Sequence, residues 1–448
     1  MVPARVGTAA SPGLAPAQRL RESSEAENAA LIDQGRRRFL LGVASTPLAG
    51  FPAIIKARNA PPTLRVLGTH ATLQEPIRQQ AERDLGFRIE LHPGGSSQVL
   101  LRASTEPDSF DVYEQWSDSL RLLWQAGTIQ PIEVGRLTYW DEINPLSKTG
   151  HITPEAPIGA GDAPNTILYV QPDGALGSTP QSRISYMPYV HNVDAFGYNS
   201  QVIPEAAPYL EESWGWLLDP AYAGRVALVN APSIGVFDLA LAARARGLMD
   251  FADLGAMTEA EVNALFKIAI AYKLDGHFRS FWRSIPHSAE LMISGDVCLE
   301  SMFSPGALMA RAAGVPCVYA APREGYRAWF GVMCLSRSCQ DERLEAAYAY
   351  MNWWLSGWAG AYIARQGYYI ANPERSRFYL GANDWDYWYA GRPAEHVFTG
   401  PEGHTLIEPG QVRHGGSYLE RWSHVAVWNT VMPTYDLTLR RWSELVLA

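Results

Sequence analysis

The chain has few of the features that several function classes require. Of its 448 residues four are cysteines (Cys298, Cys317, Cys334 and Cys339), all late in the chain and none in a CxxC pair. That spacing excludes a CxxC…CxxC zinc site and the cysteine runs that hold iron–sulfur clusters, while disulfides and buried free thiols both stay open. The ten histidines form no HxH pair, and neither HExxH nor GxSxG occurs. Gly94-Gly95-Ser96-Ser97 lacks the lysine of a phosphate-binding loop and reads as a turn. Basic charge is also short: the net charge is -9, against a nucleic-acid partner, since phosphate binding needs a basic face. No internal repeat is visible. The expectation is a protein without catalytic residues, cofactor or metal site.

The N-terminal part differs from the rest. Eight Lys/Arg fall in the first 60 residues against four Asp/Glu, so the remaining chain stands at -13. An acidic body suits a cationic ligand, although it equally serves solubility. Residues 1–33 are rich in Ala, Ser, Pro and Glu, with no sustained apolar period, and read as a disordered segment or an extension from an upstream start site. Arg36-Arg37-Arg38-Phe39-Leu40-Leu41 then leads into an apolar stretch to Ile55, broken by Pro47 and Pro52. A membrane span needs about 20 consecutive apolar residues. Paired arginines before a short, weakly apolar run form the pattern of a twin-arginine export signal. The mature chain is expected to be soluble and periplasmic, without a lipid anchor, because no cysteine follows the apolar run closely.

From residue 63 the pattern turns α/β. Strand-like runs at 63–68, 87–91, 110–113 and 225–230 alternate with helical patterns at 73–85, 118–126, 237–248, 259–273 and 342–355. Such alternation implies mostly parallel sheets with helices on their faces, and ligands there bind at the carboxyl ends of strands. The residues after Leu67 and Tyr113 are thus pocket candidates. Residues 140–186, rich in Gly, Pro, Asp and Thr, read as a long surface excursion. After Phe378 the chain is aromatic and Gly-rich, with an amphipathic helix expected over 425–447 and its aromatics read as core.

An ordered series of segments is more specific. Asp111 and Gly127-Thr128-Ile129-Gln130-Pro131-Ile132 are followed by Met187-Pro188-Tyr189 and Phe196-Gly197-Tyr198-Asn199. Next comes Ser213-Trp214-Gly215-Trp216-Leu217-Leu218-Asp219-Pro220-Ala221-Tyr222-Ala223-Gly224, in which Pro220 and Gly224 punctuate a turn before a buried strand. Ile293-Ser294-Gly295-Asp296-Val297, Pro322-Arg323-Glu324-Gly325, Ala346-Ala347-Tyr348-Ala349-Tyr350-Met351-Asn352 and Gly367-Tyr368-Tyr369-Ile370-Ala371-Asn372 complete it. Over residues 63–375 the series resembles the spermidine/putrescine-binding family of ABC-transporter periplasmic receptors. The resemblance implies an α/β, two-lobed periplasmic-binding-protein fold (type II), each lobe a mostly parallel sheet flanked by helices, joined by crossing hinge segments. Crossings are expected at 188–193, 329–332 and 371–373. Lobe one is then 63–190 plus 330–372, and lobe two is 191–329 plus 373–448. It also implies a monomer that captures a small polar solute by hinge closure and delivers it to the membrane permease of an ABC importer.

The ligand is less well marked. Polyamine binders of this family hold ammonium groups with carboxylates and line the aliphatic stem with aromatics. Matched segment by segment, three usual carboxylate positions are occupied here by the Gly68-Thr69-His70-Ala71-Thr72 loop, the Asn230-Ala231-Pro232-Ser233 loop and Gly331. Asp118, Asp194 and Glu300 are candidate replacements, and Phe303 stands where the second lobe usually has Trp. The expected lining is Thr69, His70, Trp116, Ser117, Asp118, His191, Asp194, Asn230, Phe303, Trp329 and Tyr368. For several of these a structural role competes: Trp116 as core, His191 as a hydrogen-bonding spacer, Asp194 as a cap. A polyamine or related amine heads the ligand classes. An amino-acid derivative, an organic anion and ferric ion held by Tyr368 and Tyr369 are alternatives, with an exported enzyme behind them.

Overall fold

The computed structural model describes residues 62–399, 403 and 405–448. The arginine pair and the apolar stretch that follows lie outside them. Leu64–Thr69 (β1) and Ile89–Gly94 (β2) flank the helix Glu75–Leu85 (α1), which stops at Gly86 in the left-handed conformation. Val112–Trp116 (β3) completes a parallel set, paired with β1 from Val66↔Val112 to Gly68↔Glu114. Leu64, Val66, Val112 and Tyr113 are fully buried, as expected of strands covered on both faces.

The long strand Met187–Asn199 (β4) follows, buried along nearly its whole length. Beyond it Val226–Val229 (β5), the helix Pro232–Ala245 (α2), Phe278–Trp282 (β6) and Leu299–Met302 (β7) form a second set, with β5 parallel to both β6 and β7. The helix Ser304–Ala312 (α3) and the short strand Cys317–Tyr319 (β8) lead into a second long strand, Tyr326–Ser336 (β9). β9 runs antiparallel to β4, and the continuous strand order is β6-β5-β7-β4-β9-β3-β1-β2. The two parallel sets therefore sit at opposite ends of one curled sheet, linked by β4 and β9. The register of that pair slips between Phe330 and Val332. Gly331 stands at the slip, where a Cβ would lie 2.6 Å from Val190 Cγ1 and 2.8 Å from Tyr189 Cε1. Glycine allows the strands to cross this closely.

Two regions depart from expectation. Residues 425–447 are not one helix: Val425–Trp428 (β10) pairs in parallel with Tyr326–Ala328 of β9, and the helix Tyr435–Leu447 (α4) begins later. The Val-Ala-Val-Trp alternation suits a strand, and Pro433 has no N–H to carry a helix through. Residues 140–186 are more anchored than their composition predicts. They carry a small sheet with Ile132–Glu133, and Leu146, Ile167, Leu168 and Ile184 are buried. Asp162 accepts two bonds from Arg121 (2.8 and 2.6 Å) and one from Thr430. All four cysteines are free and buried. Among the described residues no helix is long and apolar enough to cross a membrane.

Candidate functional site

Where β9 crosses from one parallel set to the other, Arg327 and Trp329 share one face, as residues two apart on a strand must. Their cross-strand neighbours on β4 are Asp194 and Asn192. Trp116, at the end of β3 and opposite Gly331, meets Trp329 edge-on at 4.8 Å between ring centroids. Tyr368 meets the same indole edge-on at 5.8 Å. The three rings form a continuous aromatic wall.

The polar side of this face is buried. Arg327 is fully buried; its Nε donates to Asp238 Oδ1 at 2.7 Å and its Nη1 to Asn429 Oδ1 at 3.3 Å. Asp194 Oδ2 lies 3.5 Å from Nη1, and Asp194 Oδ1 accepts from the Tyr319 hydroxyl at 2.9 Å. Asp118, in the turn after β3, is within the field of the same guanidinium. Burial pushes Asp194 up to about 6, outweighing the guanidinium, and raises Asp118 and Asp238 as well. Arg327 Nη2, Asp118 Oδ1, Asp194 Oδ2 and Asp238 Oδ2 have no hydrogen-bond partner. Each of the three carboxyls around this guanidinium thus keeps one buried oxygen without a hydrogen bond among the described residues, that of Asp194 facing Arg327 Nη1, and their combined charge suits a cationic group. The free Nη2 can hold a carboxylate beside it.

The expected lining residues fall into two groups. Trp116, Asp118, Asp194, Trp329 and Tyr368 come together at this face. Phe303 lies 5.8 Å from the Arg327 guanidinium carbon and edge-on to Trp282. Ser117 is buried in the same turn, and Thr69, at the end of β1, is buried with its hydroxyl unpartnered. His70 is exposed. His191 bonds through Nε2 to the Tyr418 hydroxyl at 2.8 Å and packs on Tyr369 and Trp422; burial pushes it down to about 3, so the ring is neutral. Asn230 accepts from the Trp442 indole of α4 at 2.9 Å. Glu300 alternates with Ser301 on β7 and so faces away from Asp238, which lies on the side of Ser301. Tyr368 and Tyr369 point into different surroundings: Tyr369 packs on Tyr389 and Tyr418, away from Trp329. Among the described residues no cluster of His, Cys, Asp and Glu could hold a metal.

Sequence reasoning missed Arg327, Asp238 and Asn429. The signal was a lone Arg inside the apolar run Tyr-Arg-Ala-Trp-Phe-Gly-Val-Met and a lone Asp inside the apolar helix α2, since charges buried in such runs are normally paired.

The family model for bacterial extracellular solute-binding proteins matches residues 77–386. The chain belongs to that family. No curated protein matches it. Its fold is shared with the spermidine/putrescine ABC transporter substrate-binding protein PotD of Streptococcus pneumoniae (13% identity, TM-score 0.56, 86% of this chain and 97% of that one). The TpPotD lipoprotein of Treponema pallidum is similar (10% identity, TM-score 0.60, 86% and 100%). So is AgtB of A. tumefaciens in complex with agropinic acid (13% identity, TM-score 0.53, 86% and 99%). The curled sheet of this family member is thus the two-lobed periplasmic-binding-protein fold, each lobe a mostly parallel sheet.

Proposed function

We propose that this protein is the periplasmic substrate-binding component of an ABC importer, exported by the twin-arginine route and acting as a monomer that hands its solute to a membrane permease. Lobe one is 63–190 plus 330–372, and lobe two is 191–329 plus 373–448. Hinge motion at the crossing strands closes them on a small solute with a cationic amine group. The observation that carries this reading is the cluster of Asp118, Asp194 and Asp238 around Arg327, each with one oxygen lacking a hydrogen bond among the described residues, next to the strand that bears the Trp116–Trp329–Tyr368 wall. An ammonium group pairs with the carboxylates while the rings cover its methylenes.

A second reading narrows the solute to an amino-acid derivative carrying both an amine and an acid. The unpartnered Arg327 Nη2 favours it, and the similar fold of AgtB holds agropinic acid. Calorimetric titration of the protein with putrescine, spermidine, arginine-type amino acids, citrate and ferric ion tests both. Polyamine binding alone supports the first and binding of amino acids alone the second. Citrate or ferric ion alone would reject both.

A further inference from the structure

A cavity of about 100 Å³ lies between α3, β8 and the C-terminal segment, lined by Arg311, Arg413, Arg421, Tyr319, His414 and one carboxylate, the exposed Glu205, which lies 3.8 Å from His414 Nδ1. Two of its arginines are buried, at 7% and 1% exposure. Among the described residues none of the three arginines has a carboxylate within ion-pair distance. Arg413 donates to the carbonyls of Trp388 (3.0 Å) and Gly367 (3.2 Å) and is sandwiched by Tyr369 and Trp388. Arg421 donates through Nη1 to the His414 carbonyl at 2.8 Å and stacks on Tyr326. His414 is occupied by Glu212, at 2.9 Å.

The geometry of Arg421 is informative. In Arg65, Arg121 and Arg375 the Nε/Nη2 edge grips both oxygens of a carboxylate, on Asp111, Asp162 and Glu142. The same edge of Arg421 is buried with no hydrogen-bond partner. Aromatic faces offset part of the cost of burying a guanidinium, but a buried cation without an anion remains unfavourable. Burial pushes Arg413 down from its ordinary value, whereas at Arg421 the neighbouring tyrosines outweigh burial and raise it. A cavity that holds several water molecules also holds one small oxyanion.

We propose that this cavity is an anion site that takes the carboxylate or phosphate group of a small solute, gripped by Arg421 and Arg413 with Arg311 at the entrance. The inference is independent of the amine site, and Tyr319, which lines the cavity and donates to Asp194, stands between the two.

The test is melting of the full chain with sodium phosphate or sodium succinate, against sodium chloride at matched ionic strength. Saturable stabilisation of about 3 °C at a hundredfold excess over Kd is expected. The anion that produces it decides between phosphate and carboxylate. Arg421→Gln and Arg311→Gln should each weaken the effect at least tenfold in Kd, while amine binding at Asp194 persists in Arg311→Gln. Arg311 is partly exposed and has no ion-pair partner among the described residues, so its variant decides the matter should Arg421→Gln not fold. Stabilisation no greater than that by chloride, in which case any bound anion is adventitious, overturns the proposal. So does full retention of the effect in Arg311→Gln.

Discussion

Arg327 of the crossing strand β9 donates to Asp238 of helix α2 at 2.7 Å, with both side chains withdrawn from solvent. The bond joins the long strand between the two parallel sets to a helix that follows a strand of the second set. Breaking it leaves a buried charge behind. Asp238→Ala is expected to lower unfolding free energy by about 3–5 kcal/mol, measured by urea denaturation. Arg327→Met combined with Asp238→Leu should recover most of that loss. A double variant as unstable as the single one would show that the polar pair is not interchangeable with apolar packing.

Asp194 gives a pH signature. Its carboxyl is held near 6 in the folded chain against about 3.9 in the unfolded one. Between those values the folded state binds more protons, so the contribution of this group to stability falls as pH rises from about 4 to 6 and is lowest above 6. The full change is about 3 kcal/mol. Asp194→Asn should flatten that part of the stability–pH curve. In the wild type an amine ligand should bind more tightly at pH 7 than at pH 5, because ionised Asp194 holds the ammonium.

Trp329 contacts both other rings of the wall. Trp329→Ala should weaken binding of the cognate solute by about 1 kcal/mol or more, read by calorimetry. Unchanged affinity would return the residue to a packing role.

Gly331 has no room for a side chain. Gly331→Ala should cost about 1–3 kcal/mol by forcing Val190 and Tyr189 apart. Small-angle scattering with and without ligand should then report a changed difference between open and closed forms. An unaltered scattering difference would remove this crossing from the hinge.

Much of the fold was legible because its signals are local. The 73–85 pattern ends at Gly86, and the 259–273 helix carries a capping box of Thr258 and Glu261. The aromatic wall was legible for the same reason, since Trp116, Trp329 and Tyr368 each lie near a strand end or crossing. What stayed hidden depends on contacts across long separations. Nothing near Arg327 in sequence announces Asp238, 89 residues away. Nothing near His191 announces Tyr418, 227 residues away. The helical pattern over 425–447 hides the strand at 425–428, whose partner, β9, lies about a hundred positions earlier.

The C-terminal segment is fastened at two places. Val425–Trp428 is stitched to β9, and Tyr435–Leu447 rests on the helices Pro232–Ala245 and Glu259–Leu274, with Trp442 reaching Asn230. Six residues, 429–434, join the two anchorages, and a chain of that length spans about 20 Å when pulled taut. The molecule therefore carries its own tether: the distance between these two anchorages has a ceiling set by covalent geometry.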